Sequence, residues 1–535
     1  MYAGAVSPLA RVAFRSGFYL LIKSSMKVKF WLFAALFAAA GAFTACSNDE
    51  PGEKPGPDDK KPIPHMEINQ WMDGNMRTLY LWNEEYKKLT LDFDQEYQNF
   101  LKSALDGVKK QNNANAEDGY YYGDQWIYYS YVEAKQKTRS TRADQTIDYG
   151  FGITGHNFGN VNGTIYMAVL GVIPGSPADK AGITRGSFIS KINGTSITEQ
   201  NALSLAKLLY PSAISADIVR LDWSEITAEN GQFVVTPKQS GFNLKPATFS
   251  RNPILYATLA LSETNPDVCI AYLVYHEFDM NYDETLMDWF KTFKQTAEKE
   301  GKKVTDLILD LRYNGGGYLF SSAMLATLIT GEKHKGGLYV ETTYNEERNK
   351  TMAPGQYFIG KKEVPEGEYP LIEEALKHSL DLDRVFVLTM NGTASASELI
   401  INGLRGLDVE VNTIGEYTNG KNVGMEVDTR TFGDYEVSFA PCTIRLKNAK
   451  GFGDYSSGLE PSLNVVNPDS DWLIAPYASN GDPLFRMAYE WIVTGKKPTL
   501  EADAGTRAAD LGYYSFGEYH AAPGVSGAIM NGIAK

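Results

Sequence analysis

Three short stretches of this chain are apolar at nearly every position and end in turn residues. They are IAYLVY (270–275), LILDLR (307–312, followed by YNGGG) and VFVLTM (385–390, followed by NG). A strand that is apolar on both faces needs cover on both faces, which is the situation of a parallel sheet packed between helices. Residues 249–495 alternate such runs with helix-like stretches, so they read as an α/β unit with a largely parallel sheet. At 535 residues the chain is too long for one core, and further units must flank this one.

Two flanking units precede it. In MEINQWMDGNMRTLYLW, apolar residues recur at three- and four-residue steps (Met66, Ile68, Trp71, Met76, Leu79), and EYQNFLKSALDGV repeats the pattern. Residues 66–145 therefore read as a helical cap, with Trp126–Val132 as a strand near its end. Residues 146–248 change character: strand, glycine loop, strand, short helix, strand pair, helix. This segment resembles a PDZ domain, most specifically through SPADKAGI followed by a glycine and an apolar strand. Such domains bind an extended peptide at a sheet edge, its terminal carboxylate meeting backbone N–H groups of a glycine loop. Tyr149, Gly150, Phe151 and Gly152 stand where that loop is expected. Residues 496–535 are small and polar, a tail with no evident core.

The N-terminus reads as an address. Lys27 and Lys29 precede an apolar run, Phe30 to Phe43, too short to span a bilayer. Phe43-Thr44-Ala45-Cys46 resembles a bacterial lipobox, so residues 1–46 are expected to be a signal peptide with Cys46 the lipidated residue; Met26 is a plausible true start. Residues 47–65, rich in Pro, Gly and charge, read as a flexible linker. The acidic residues after Cys46 resemble a surface-export signal of Bacteroidetes lipoproteins. The expected location is the cell envelope, with membrane contact only through the anchor. A net charge of −14 argues against nucleic-acid binding. The other two cysteines, Cys269 and Cys442, lie in apolar runs and read as buried thiols, and no Cys/His spacing suggests a metal site.

Three segments carry chemistry. In VFVLTMNGTASASELIINGLRG (385–406) a buried strand runs through small residues into a helix beginning near Ala396, placing Ser395 at an exposed turn beside free helix N–H groups. Alone, Thr393, Ser395 and Ser397 could simply cap the helix. In TIGEYTNGKNVG (413–424) a glycine-flanked loop carries Lys421, which alone would read as a solvated lysine. In LILDLRYNGGG (307–317) three glycines allow close backbone approach. Asp310 and Arg312, two apart, share a strand face, and a structural ion pair is the plain reading.

Together, LDLRYNGGG, NGTASASE and GEYTNGK, in this order after a cap and a PDZ-like segment, resemble the C-terminal processing (tail-specific) peptidases over residues 66–495; GLEP (458–461), after NAKG (448–451), resembles a further late motif. The resemblance implies a multidomain α/β fold with a core of the ClpP/crotonase-like type, and serine endopeptidase activity without cofactor or metal on protein or peptide substrates. It implies Ser395 as nucleophile, Lys421 as general base, backbone N–H groups of Ala396 and Gly316 as oxyanion donors, and Glu398, Asp310 and Arg312 as site-shaping charges. A lysine can serve as base if burial keeps it neutral near pH 7, which lowers its pKa by about 3 units. The family's lysine-orienting glutamine corresponds to Met425 here, and the sequence leaves its replacement open. The alternative is a catalytically silent envelope lipoprotein that binds peptides through its PDZ segment.

Overall fold

The computed structural model describes residues 63–531 except 123, 137–146, 152–155, 210–217, 230–231, 366, 467, 469–472, 500–513 and 520–528. Cys46 and the expected signal and anchor lie outside the described residues.

The cap opens with helices α1 (His65–Thr78) and α2 (Tyr97–Lys109). Each buries an apolar stripe, including Trp71, Met72 and Met76 on α1 and Phe100, Leu101 and Leu105 on α2. The expected strand at 126–132 is instead two strands, Gln125–Tyr128 and β1 (Tyr131–Gln136), broken at Tyr129-Ser130. The cause is Asp118, whose carboxylate accepts from both Ser130 N (2.8 Å) and Ser130 Oγ (2.8 Å) and bends the chain there.

The PDZ segment contributes β2 (His156–Val161), β3 (Thr164–Val169), β4 (Ser187–Ile192), β5 (Val219–Glu229) and β6 (Gln232–Leu244), antiparallel throughout. The helix Pro177–Lys180 within SPADKAGI starts at Ser176, whose Oγ accepts from Asp179 N at 3.2 Å.

The central sheet takes β7 (Ile254–Leu261), β8 (Cys269–Tyr275), β9 (Asp306–Asp310), β10 (Arg384–Thr389), β11 (Glu410–Gly415) and the short β12 (Leu463–Asn464), in that spatial order. From β8 onward all pairings are parallel. β8 and β9 are buried at every position, as both-face cover requires. Helices α3 (Asp283–Lys299), α4 (Leu319–Thr330), α5 (Ala396–Gly406) and α6 (Pro483–Thr494) cover it. Every residue of α4 is buried, because that helix lies inside the core rather than on the surface.

A second sheet joins cap and core. It includes β13 (Val423–Phe432), β14 (Tyr435–Ala440) and β15 (Cys442–Asn448), with β1 of the cap paired to β14. Met425, Phe439, Ala440 and Cys442 share one apolar cluster with Trp71, Met76 and Phe100 of the cap helices. The tail, read as having no evident core, forms β16 (Tyr514–Tyr519), antiparallel to β2, and β17 (Ile529–Asn531), parallel to β13.

Candidate active site

Strand β10 leads into the turn that carries Ser395. Met390 N donates to Thr393 Oγ1 (3.0 Å), Thr393 Oγ1 to Leu311 O (2.8 Å), and Ala394 N to Asn314 O (3.1 Å). Ser397 Oγ also donates to Asn314 O (2.9 Å). Thr393 and Ser397 thus fasten this turn to the loop after β9. Ser395 is held at φ 58° and ψ −113°, a conformation L-residues avoid. It is completely buried, which corrects the exposed placement expected from sequence. The Tyr313–Gly317 loop closes against it: a Cβ on Gly316 would lie 2.8 Å from Ser395 Cβ.

Ala396 is the first residue of α5, where a backbone N–H has no intrahelical acceptor. Gly316 differs from expectation. Its N–H already donates to Asn314 Oδ1 at 2.8 Å and its carbonyl accepts from Phe278 N at 2.9 Å, so in this arrangement it is not a free oxyanion donor. What Gly316 supplies is space, at a φ of 115° that favours glycine. Asn314, missed by sequence reasoning, organises the loop: Nδ2 donates to Tyr275 O at 2.9 Å while its carbonyl receives the two bonds from Ala394 and Ser397.

Glu398 joins the two halves of the site. Its carboxylate accepts from Ser395 N (2.9 Å), Thr418 Oγ1 (2.6 Å), Gly420 N (2.6 Å) and Lys421 N (2.8 Å). Burial pushes this carboxyl up to about 7 even against those four donors. The GLEP segment secures the same loop, with Leu459 N donating to Thr418 Oγ1 at 2.7 Å. Gly420 and Gly458 are required there, since a Cβ on either would lie within 2.4 Å of a backbone oxygen.

Lys421 is 3% exposed, unlike a lysine on a solvated loop. Its Nζ sits over the ring of Tyr129, 4.8 Å from the centroid. Burial holds its pKa below the ordinary lysine value, with Asp118 and Glu398 opposing. Met425 is fully buried and paired across the ladder with Cys442. It is part of the apolar cluster and offers the lysine no polar group.

Asp310 and Arg312 form the ion pair the sequence suggested (Nη2 to Oδ2, 2.7 Å), and Arg312 also binds Asp482 in two places, at 3.1 and 2.8 Å. This wholly buried network braces the strand end ahead of the Tyr313–Gly317 loop. The PDZ segment reaches it through Arg185, which donates to Tyr313 Oη (2.7 Å) and lies 3.9 Å from Asp482 Oδ2. Of the glycine loop, Tyr149 and Phe151 are buried in the PDZ core, and Gly150 N donates to Asp148 Oδ1 at 2.9 Å. Gly152 lies outside the described residues.

The sequence profile of peptidase family S41 matches residues 269–435, and that of the PDZ domain matches residues 169–220. The chain is a serine peptidase whose residues 269–435 match family S41. Among curated relatives, a protein of Staphylococcus aureus (strain COL) named "Probable CtpA-like serine protease" is 24% identical to this peptidase over 412 residues, 76% of this chain and 69% of its own length. A protein of the same name from Staphylococcus saprophyticus is 24% identical over 342 residues, 64% of this chain and 58% of its own. The crystal structure of a protein named "Putative S41 protease" from Bacteroides fragilis NCTC 9343 shares the fold, with a TM-score of 0.61 at 22% identity over 82% of this chain and 100% of that one.

Proposed function

We propose that this S41 peptidase cleaves protein or peptide substrates through a Ser395–Lys421 pair, with its PDZ domain holding the substrate's C-terminal segment. One observation carries the reading: the buried carboxylate of Glu398 binds the backbone of both Ser395 and Lys421. In the mechanism, Lys421, whose charged form is disfavoured by burial, takes the proton of Ser395 Oγ as the oxygen attacks the scissile carbonyl. The Ala396 N–H, at the positive end of α5, receives the developing oxyanion. The Lys421 ammonium then protonates the leaving amine. Water, deprotonated by the same lysine, hydrolyses the acyl-enzyme. Asp310, Arg312 and Glu398 hold the geometry and exchange no protons.

The test is digestion of casein by a soluble chain starting at residue 62, beside Ser395→Ala and Lys421→Ala. Loss of cleavage in both folded variants supports the pair. A parent protein that binds C-terminally apolar peptides yet never cleaves them would instead be a silent peptide-binding protein. We propose further that Cys46 is lipidated and anchors the enzyme in the cell envelope. Radiolabelled palmitate should enter the full chain and not its Cys46→Ser variant; equal labelling of the two would refute the anchor.

A further inference from the structure

The family resemblance places Met425 where a lysine-orienting glutamine is expected, and the structure offers a different support. Tyr129 comes from the cap, between Gln125–Tyr128 and β1, and its ring face lies under Lys421 Nζ. The ring is itself fixed. Tyr129 Oη donates to Asn419 Oδ1 at 2.6 Å, on the lysine's own loop. Its neighbour Ser130 is bonded by Asp118, and Cys442 N donates to Ser130 Oγ at 2.9 Å. Asp118 in turn receives Tyr80 Oη (2.6 Å) and Cys442 Sγ (3.1 Å). We propose that Tyr129 is a positioning residue for Lys421, its ring face receiving the ammonium that forms when the lysine takes the serine's proton. A ring quadrupole attracts the cation and is nearly indifferent to the neutral amine, so it acts as the reaction proceeds. This inference rests on the Ser395–Lys421 reading above.

The test reads the rate of Ser395 modification by a fluorophosphonate probe against pH, in the parent, Tyr129→Leu, Tyr129→Phe and Lys421→Ala. The titratable groups facing Lys421 are Glu398 from α5, Asp118 from the cap and the Cys442 thiol from β15, and none is altered. Tyr129→Leu should move the acid limb to lower pH by about one unit and slow labelling roughly 10-fold at the plateau. Tyr129→Phe, which keeps the ring, should retain the parent's limb. Equal limbs in Leu and Phe variants, or a limb in Leu that matches the parent, overturn the proposal. Undiminished labelling of Lys421→Ala overturns the Ser–Lys reading itself.

A separate observation concerns the tail. Strand β2 follows the PDZ glycine loop, the position at which a peptide would add to the sheet. It is already paired, antiparallel, with β16 of this same chain, Tyr519 opposite His156 at the loop end and Tyr514 opposite Asn160. Further along the tail, Ile529 pairs with Met425 on the strand that leaves the lysine loop. We infer that residues 514–519 occupy the PDZ's peptide-accepting edge in cis and compete with substrate. This rests on the reading that the edge takes peptides.

In the full soluble chain carrying Ser395→Ala, Ser515→Pro with Gly517→Pro should remove ladder donors from β16. Amides of residues 156–161 should then exchange at least 10-fold faster, and a fluorescein-labelled peptide ending in Leu-Ala-Ala should bind at least 10-fold more tightly. Unchanged exchange, or faster exchange with unchanged measurable affinity, overturns the cis occupancy alone. A peptide that binds neither protein overturns it together with the peptide-accepting role of the PDZ.

Discussion

Ser395 holds φ 58° and ψ −113°, a region that only glycine enters without strain. The surroundings impose it: the turn is bonded on both sides to the loop after β9, and the backbone N–H is fixed by Glu398. Such strain costs about 1–3 kcal/mol, and a glycine at the site would relieve it while adding about 0.5–1 kcal/mol of entropy lost on folding. The proper comparison is Ser395→Gly against Ser395→Ala, since both lose the hydroxyl and only alanine keeps the Cβ. The glycine variant should be more stable than the alanine variant by about 0.5–2 kcal/mol, and both should be inactive. Urea unfolding of the two, with matched m-values, measures the difference. A glycine variant that is equal to or less stable than the alanine variant would show that the backbone at 395 is not strained.

Gly316→Ala forces a Cβ to 2.8 Å from Ser395 Cβ at a φ of 115°; fluorophosphonate labelling should fall by about 100-fold, and a rate within threefold of the parent refutes the close approach. Asp482→Ala strips Arg312 of one of its two carboxylates and α6 of its cap, so urea unfolding should report a loss of about 3–5 kcal/mol. A loss below about 1 kcal/mol would show that the network is not needed. Glu398, raised from 4.5 to about 7, contributes stability that is fully present below about pH 4.5 and lost as pH rises through 7. That slope, up to about 3 kcal/mol, should be absent from Glu398→Gln, and identical pH profiles of unfolding for the two proteins would refute it.

Much of this was legible in the sequence for a definite physical reason. Strands buried on both faces must be apolar throughout, so β8, β9 and β10 announce themselves, and glycines at crowded turns mark Gly316, Gly420 and Gly458. What the sequence concealed was burial. Ser395 and Lys421 sit in polar, glycine-rich strings that look like surface loops, and they become interior only because distant segments cover them. Tyr129 carries no local signal at all, since one tyrosine within WIYYSYV resembles its neighbours until the chain bends at Asp118. The committed state of the Gly316 N–H was hidden likewise, because it depends on the rotamer of Asn314.

The location of Tyr129 changes how the cap should be understood. A lid that merely covered a finished site could be swapped for another apolar surface. Here β1 is hydrogen-bonded to β14, Met425 is packed among cap side chains, and the ring beneath the lysine is cap-derived. The desolvation that keeps Lys421 below its ordinary pKa therefore depends on the cap being docked. If the cap undocked, water would reach the amine, its pKa would climb towards the solution value, and the ammonium form would be favoured at neutral pH. On this argument the cap, the lysine loop and the strand carrying Met425 form one functional unit, and the methionine is tolerated because the ring beneath the amine takes over the support an amide would have given.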